Sequence, residues 1–137
     1  MSTSEAMPAP VEILAPVSAG ELIDKITILE IKAERIADPA KRANVVRELT
    51  ALAQLRDIHA LSVGFEDLTV EIKSVNEALW EIEDALRELE TEKRFDERFV
   101  ELARAVYVTN DRRAAIKKEI NVRSGSLIVE EKSYAGT

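Results

Sequence analysis

Asn110, Arg113, Lys117 and Asn121 recur at intervals of three and four, the spacing that stacks side chains on one face of a helix. The same stripe begins upstream as Phe99, Ala103 and Val106, so a face that starts as core turns cationic and amide-bearing. Polar groups brought inward must find partners or a ligand. With a ligand, Arg113 presents a planar fork and Lys117 a point charge to a carboxylate or phosphate, while Asn110 and Asn121 orient neighbouring hydroxyls or amides. Without one, the same groups pair with Glu21, Asp24 or Glu30 and fix the register of a helical bundle. Glu30, at the edge of its own helix's apolar face, is either a general base or the partner of Arg113 or Lys117, and the partner role is the expected one. Gly20, Lys25 and the first N–H groups of that helix form a third candidate, an anion site at the positive end of the dipole. Glu21 and Asp24 stand beside it and oppose an anion.

Other chemistry is thinner. Trp80, near Asn76, Glu83 and Arg87, offers a face on which a sugar ring stacks, although a lone Trp beside a helical seam more often packs. His59 is the single histidine, so a di-iron bundle with its paired Glu-x-x-His motifs is excluded. Glu81 and Asp84 supply one half of a paired acidic magnesium motif without a second half. Glycine is too sparse for a phosphate-cradling loop. Neither a metal nor a cofactor is expected, and no catalytic residue stands out.

These residues must be positioned by helices. Ser18 and Glu21 form a capping-box pattern, opening a helix to about Ala37 with Leu22, Ile26, Leu29, Ala33 and Ile36 on one face. Ile28 and Ile31 lie nearly opposite, which makes this helix either central or shared with a second subunit, giving a homodimer through Ile28 and Ile31. Asp38 and Pro39 break the chain and restart it as a second helix to about Leu61, with Val45, Val46, Leu49, Leu52, Ala53 and Ile58 inward. Phe65, Leu68, Ile72, Val75, Leu79, Ile82, Leu86 and Leu89 make a third helix with an unbroken three-four seam. Asp96 caps a fourth, Glu97 to about Val122. Short links between long helices predict an antiparallel four-helix bundle. Residues 1–16 read as a flexible leader before a single domain over 17–137; Val11 to Leu14 is extended and pairs with Leu127 to Val129 in a small β-ribbon.

The 137 residues suit one domain. A net charge of −7 argues against a general nucleic-acid binder. The absence of cysteine excludes disulfides and thiolate zinc sites. No apolar run approaches the ~20 residues of a membrane span, and no export signal is visible, so a cytoplasmic protein without membrane partners is expected.

Three stretches carry a resemblance: Gly20-Glu21-Leu22-Ile23-Asp24-Lys25-Ile26-Thr27-Ile28-Leu29-Glu30-Ile31-Lys32; Asn110-Asp111-Arg112-Arg113 with Ile116-Lys117 and Ile120-Asn121; and Glu131-Lys132-Ser133-Tyr134. With these the chain resembles a family of small uncharacterised bacterial and phage proteins, over nearly everything after Pro16. The resemblance implies a setting among surface-glycan and glycosyl-transfer genes, and it transfers no active site. Leu22 to Ile26 is also similar to the first helix of helical chorismate mutases, but Asp38-Pro39 falls where that helix would continue. The expected function is therefore a small soluble accessory or binding protein, linked to surface-glycan biosynthesis, with an anion-binding seam of Asn110, Arg113, Lys117 and Asn121 and with Asp24, Lys25 and Glu30 nearby. Its expected partners are an anionic small molecule and a protein of the glycan machinery. The alternative is a small enzyme or sensor for a phosphorylated sugar or carboxylate metabolite; the non-enzymatic reading is preferred.

Overall fold

Each helix start can be traced to a local cause. In the computed structural model, which describes residues 11–134, Ser18 Oγ accepts the Glu21 N–H at 3.0 Å and opens α1 (Ala19–Arg35). Asp38 accepts the Lys41 N–H at 2.9 Å and, with Pro39 in the first turn, opens α2 (Pro39–Ile58). The turn before α3 (Glu66–Thr91) has no side-chain N-cap; Glu66 instead accepts the Gly64 N–H. Asp96 caps α4 (Glu97–Ser124), and Gly125, at φ +67°, closes it in the left-handed conformation that glycine adopts without strain. Only half of the expected capping box forms, because the Glu21 carboxylate turns away to Lys117.

The result is an all-α antiparallel four-helix bundle with α1 at its centre. One side of α1 rests on α2, and the other on α3 and α4, which also pair with each other; α2 touches α1 alone. The core gathers where Ile23 of α1 meets Leu68, Ile72 and Val75 of α3 and Ile116 and Ile120 of α4. At about 1.5 Å per residue, the 26 and 28 residues of α3 and α4 outrun the 17 of α1, so the α3–α4 hairpin projects past the end of α1.

Two expectations change. Val46 and Ile58 point outward, 39% and 74% exposed, because a helix with one neighbour covers only a narrow stripe, and no residue of α2 is fully buried. Ile31 is 1% exposed within the single chain and Ile28 is half-buried, so much of the second apolar face of α1 is covered by the chain itself, as suits its central place. No strand occurs among the described residues. Val11, Ile13, Leu14 and Leu127 are exposed, as expected where two short segments have nothing to pack on and a lone ribbon is marginal. Residues 1–10 of the expected leader lie outside the described residues. Among those described, no helix is long and apolar enough to cross a membrane.

Candidate functional site

The α1–α4 contact is made of polar side chains arranged in three steps. At the deepest, Asp24 is wholly buried and accepts three hydrogen bonds. Arg113 Nε reaches Oδ1 at 2.9 Å and Nη2 reaches Oδ2 at 2.5 Å, while Asn76 Nδ2 of α3 reaches Oδ1 at 2.9 Å. Asn76 also donates to Thr27 Oγ1 at 3.0 Å, and Thr27 Oγ1 donates to the Asp24 carbonyl at 2.7 Å. A buried carboxylate is tolerated only when its lone pairs are met in this way. The Asp24 hydrogen bond pushes the Arg113 guanidinium pKa up, outweighing the opposing effect of burial.

One turn along α4, Lys117 Nζ donates to Glu21 Oε2 at 2.5 Å and to Glu130 Oε2 of the C-terminal tail at 3.2 Å. Ser18 Oγ donates to Glu130 Oε1 at 3.3 Å. Another turn on, Asn121 Oδ1 accepts the Gly20 N–H at 2.7 Å. Gly20 is required there by space: a Cβ would stand 2.5 Å from the Lys117 carbonyl oxygen.

The Lys117 cluster has a definite pH range. Burial lowers the Lys117 pKa, but the bonds to Glu21 and Glu130 outweigh it and leave the value above 10.5. Burial raises that of Glu130, but Lys117 outweighs it and leaves the value below 4.5. A depressed carboxyl stabilises above its ordinary value and loses that contribution as pH falls through the lower folded value; a raised ammonium does so below its ordinary value and loses it on the alkaline side. We expect the tail to stay docked from about pH 5 to 10. In an NMR titration, the amides of residues 127–132 should move together with a midpoint below 4.5 while the helical signal holds; a midpoint at or above that value contradicts the contact.

Lys117, the Asn121 side-chain oxygen and most of Arg113 are thus committed within the protein. Two other sequence-predicted residues lie elsewhere. Glu30 does not meet Arg113 or Lys117: the register of α1 sets Asp24 opposite Arg113, and Glu30, further along, faces Lys73 of α3 at 3.9 Å. Lys25 is exposed and pairs with Glu48 of α2 at 3.0 Å. The start of α1 is not free for an anion either, since Asn121 takes the Gly20 N–H and Ser18 that of Glu21.

Beside this wiring lies open space. Past Asp24 a cleft of about 420 Å³ opens between α1, α3 and α4. Its floor is apolar, formed by Ile28, Ile31, Leu79 and Trp80. Asn110 and Arg113 stand on the α4 side, and Glu83, Asp84 and Arg87 on α3. Arg35, held near Glu77 and Glu81, sits 5.9 Å from the Trp80 ring centroid and braces it. Asn110, Arg113, Lys117 and Asn121, the four residues of the predicted seam, together line a smaller cavity of about 140 Å³, which Glu130 to Lys132 of the tail border. Two donors remain uncommitted at the meeting of the two spaces. Among the described residues, Arg113 Nη1 has no acceptor and the Asn110 amide has no partner. Asp84 was weighed in the sequence only as half of an acidic magnesium motif; its position one turn after Trp80 was the signal for its place in the cleft.

A family model described as a family of unknown function, DUF6165, matches residues 13–137. No curated protein and no solved structure matches the chain. With its whole described fold and both cavities inside the matched span, the chain belongs to the family DUF6165.

Proposed function

We propose that this chain is a small non-catalytic binding protein whose ligand site is the cleft between α1, α3 and α4, with Arg113 and Asn110 receiving an acid group. The observation that carries this reading is the pair of uncommitted donors at the edge of a cavity whose volume suits a small ligand. Asp24 holds the Arg113 fork through two nitrogens, so its remaining donor is pre-oriented and little side-chain freedom is lost on binding. Asp24 itself already accepts three hydrogen bonds, which suits a fixed support better than proton transfer. In this reading the seam of α4 is mostly internal wiring, and the anion site shifts from Lys117 towards Asn110. The resemblance to proteins met among surface-glycan genes makes sugar phosphates and uronic acids the first ligands to try, and a cytoplasmic glycosyl-transfer protein the first partner.

Asn110→Ala provides the test, because Asn110 makes no hydrogen bond among the described residues and its removal leaves the fold's wiring intact. At 100 times its Kd, a specific ligand adds about 2.7 kcal/mol to stability, several degrees of Tm at this size. Asn110→Ala should keep the unliganded Tm and weaken binding about five-fold, as one lost hydrogen bond does. An equal response in both proteins removes Asn110 from the site. No response to any acid defeats the proposal.

A further inference from the structure

The cleft is polarised along α3. Its acid-receiving end is marked by Asn76, which shares the Asp24 carboxylate with Arg113. Asp84 lies eight residues further on, about 12 Å along the helix, and lines the same cleft. Glu83 beside it is engaged by Arg87 at 3.8 Å, whereas the Asp84 carboxylate has no cation or hydrogen-bond donor among the described residues. Between the two ends lies the apolar floor with the Trp80 ring, which already has the Arg35 guanidinium over it at 5.9 Å, so Asp84 is what the amine end offers.

From this juxtaposition we infer that the cleft takes an extended small molecule bearing an acid at one end and a protonated amine at the other. The acid meets Arg113 and Asn110, the stem lies on Ile28, Leu79 and Trp80, and the amine meets Asp84. The inference rests on the acid-binding reading above and adds the second, cationic end to it. Free amino acids with a terminal amine, acidic amino sugars and a peptide ending in lysine share this chemistry.

Trp80 is the only tryptophan and lines the cleft, so its fluorescence reports occupancy directly. Titration with 6-aminohexanoate, hexanoate and hexylamine compares both ends, the acid alone and the amine alone on similar stems. We expect 6-aminohexanoate to bind tightest, and Asp84→Asn to erase about five-fold of its advantage over hexanoate, the most that one exposed ion pair supplies. Asp84 is exposed, so the variant should fold like the parent. Equal affinity for hexanoate and 6-aminohexanoate, or an advantage that survives Asp84→Asn, overturns the inference and leaves the acid site standing. Binding of hexylamine without hexanoate, or of none of the three, overturns both. Given a positive result, Nα-acetyl-lysine and free lysine separate the sources: equal binding fits a chain end, whereas a preference for free lysine fits a metabolite.

Discussion

Asp24→Ala lowers the free energy of unfolding by about 3–5 kcal/mol, the range for removing one partner of a buried ion pair, and drops Tm by on the order of 10 °C or more. The size follows from what the carboxylate supports. Arg113 is left half-buried and charged without its counter-ion, and Asn76 loses one of its two acceptors. Since small domains are stable by only about 5–15 kcal/mol, this one change approaches the whole margin. Asp24→Asn should cost nearly as much, because its amide hydrogens would face the donors of Arg113. The double variant Asp24→Leu with Arg113→Met should recover much of the loss, since an apolar pair of similar volume removes the unpaired charge. Urea unfolding measures all three. A loss under about 1 kcal/mol for Asp24→Ala would mean that the pair behaves like a surface salt bridge.

Gly20→Ala is the second large effect, and its sign is informative. On propensity alone, alanine inside a helix gains about 1 kcal/mol over glycine. Here the added carbon would meet Lys117 O at 2.5 Å, Asn121 Oδ1 at 2.9 Å and the Lys117 carbonyl carbon at 3.1 Å. Two of those atoms are α4 backbone and cannot swing aside, so α1 must move off α4, lengthening the Gly20–Asn121 hydrogen bond. We expect a net loss of roughly 2–3 kcal/mol, from overpacking minus the propensity gain, seen as a lower urea midpoint at unchanged slope. A stabilised variant would mean that the two helices are not in this close contact.

The fold was legible in this sequence wherever one residue type does one local job. Ser18, Asp38 and Asp96 mark helix starts, and the seam from Phe65 to Leu89 declares α3. The number of neighbours each helix finds is a different matter. The apolar positions of α2 say that it has a covered face; they do not say that α1 alone covers it, because periodicity records one side of a contact. The polar face of α4 was equally legible, and Asp24 and Glu21 were among its foreseeable partners. Which carboxylate meets which cation depends on the axial register between α1 and α4, set by the close approach at Gly20, and this is why Glu30 falls to Lys73 instead. The cleft was legible only in pieces. It lies where residues of α1, α3 and α4 meet, a juxtaposition that no spacing within one helix encodes, and so Asn110 could be read as polar seam while its place beside open space could not.

The central position of α1 also constrains how the chain is made. α1 and α2 are synthesised first and can pair locally, but the opposite face of α1, with Ile23 and Asp24, matches surfaces on α3 and α4 that follow later in the chain. Until α4 is complete, a nascent chain carries an apolar stripe and a carboxylate whose counter-ion, Arg113, has not yet been made. Productive closure therefore waits on the synthesis of α4, and products truncated before it are left sticky rather than folded.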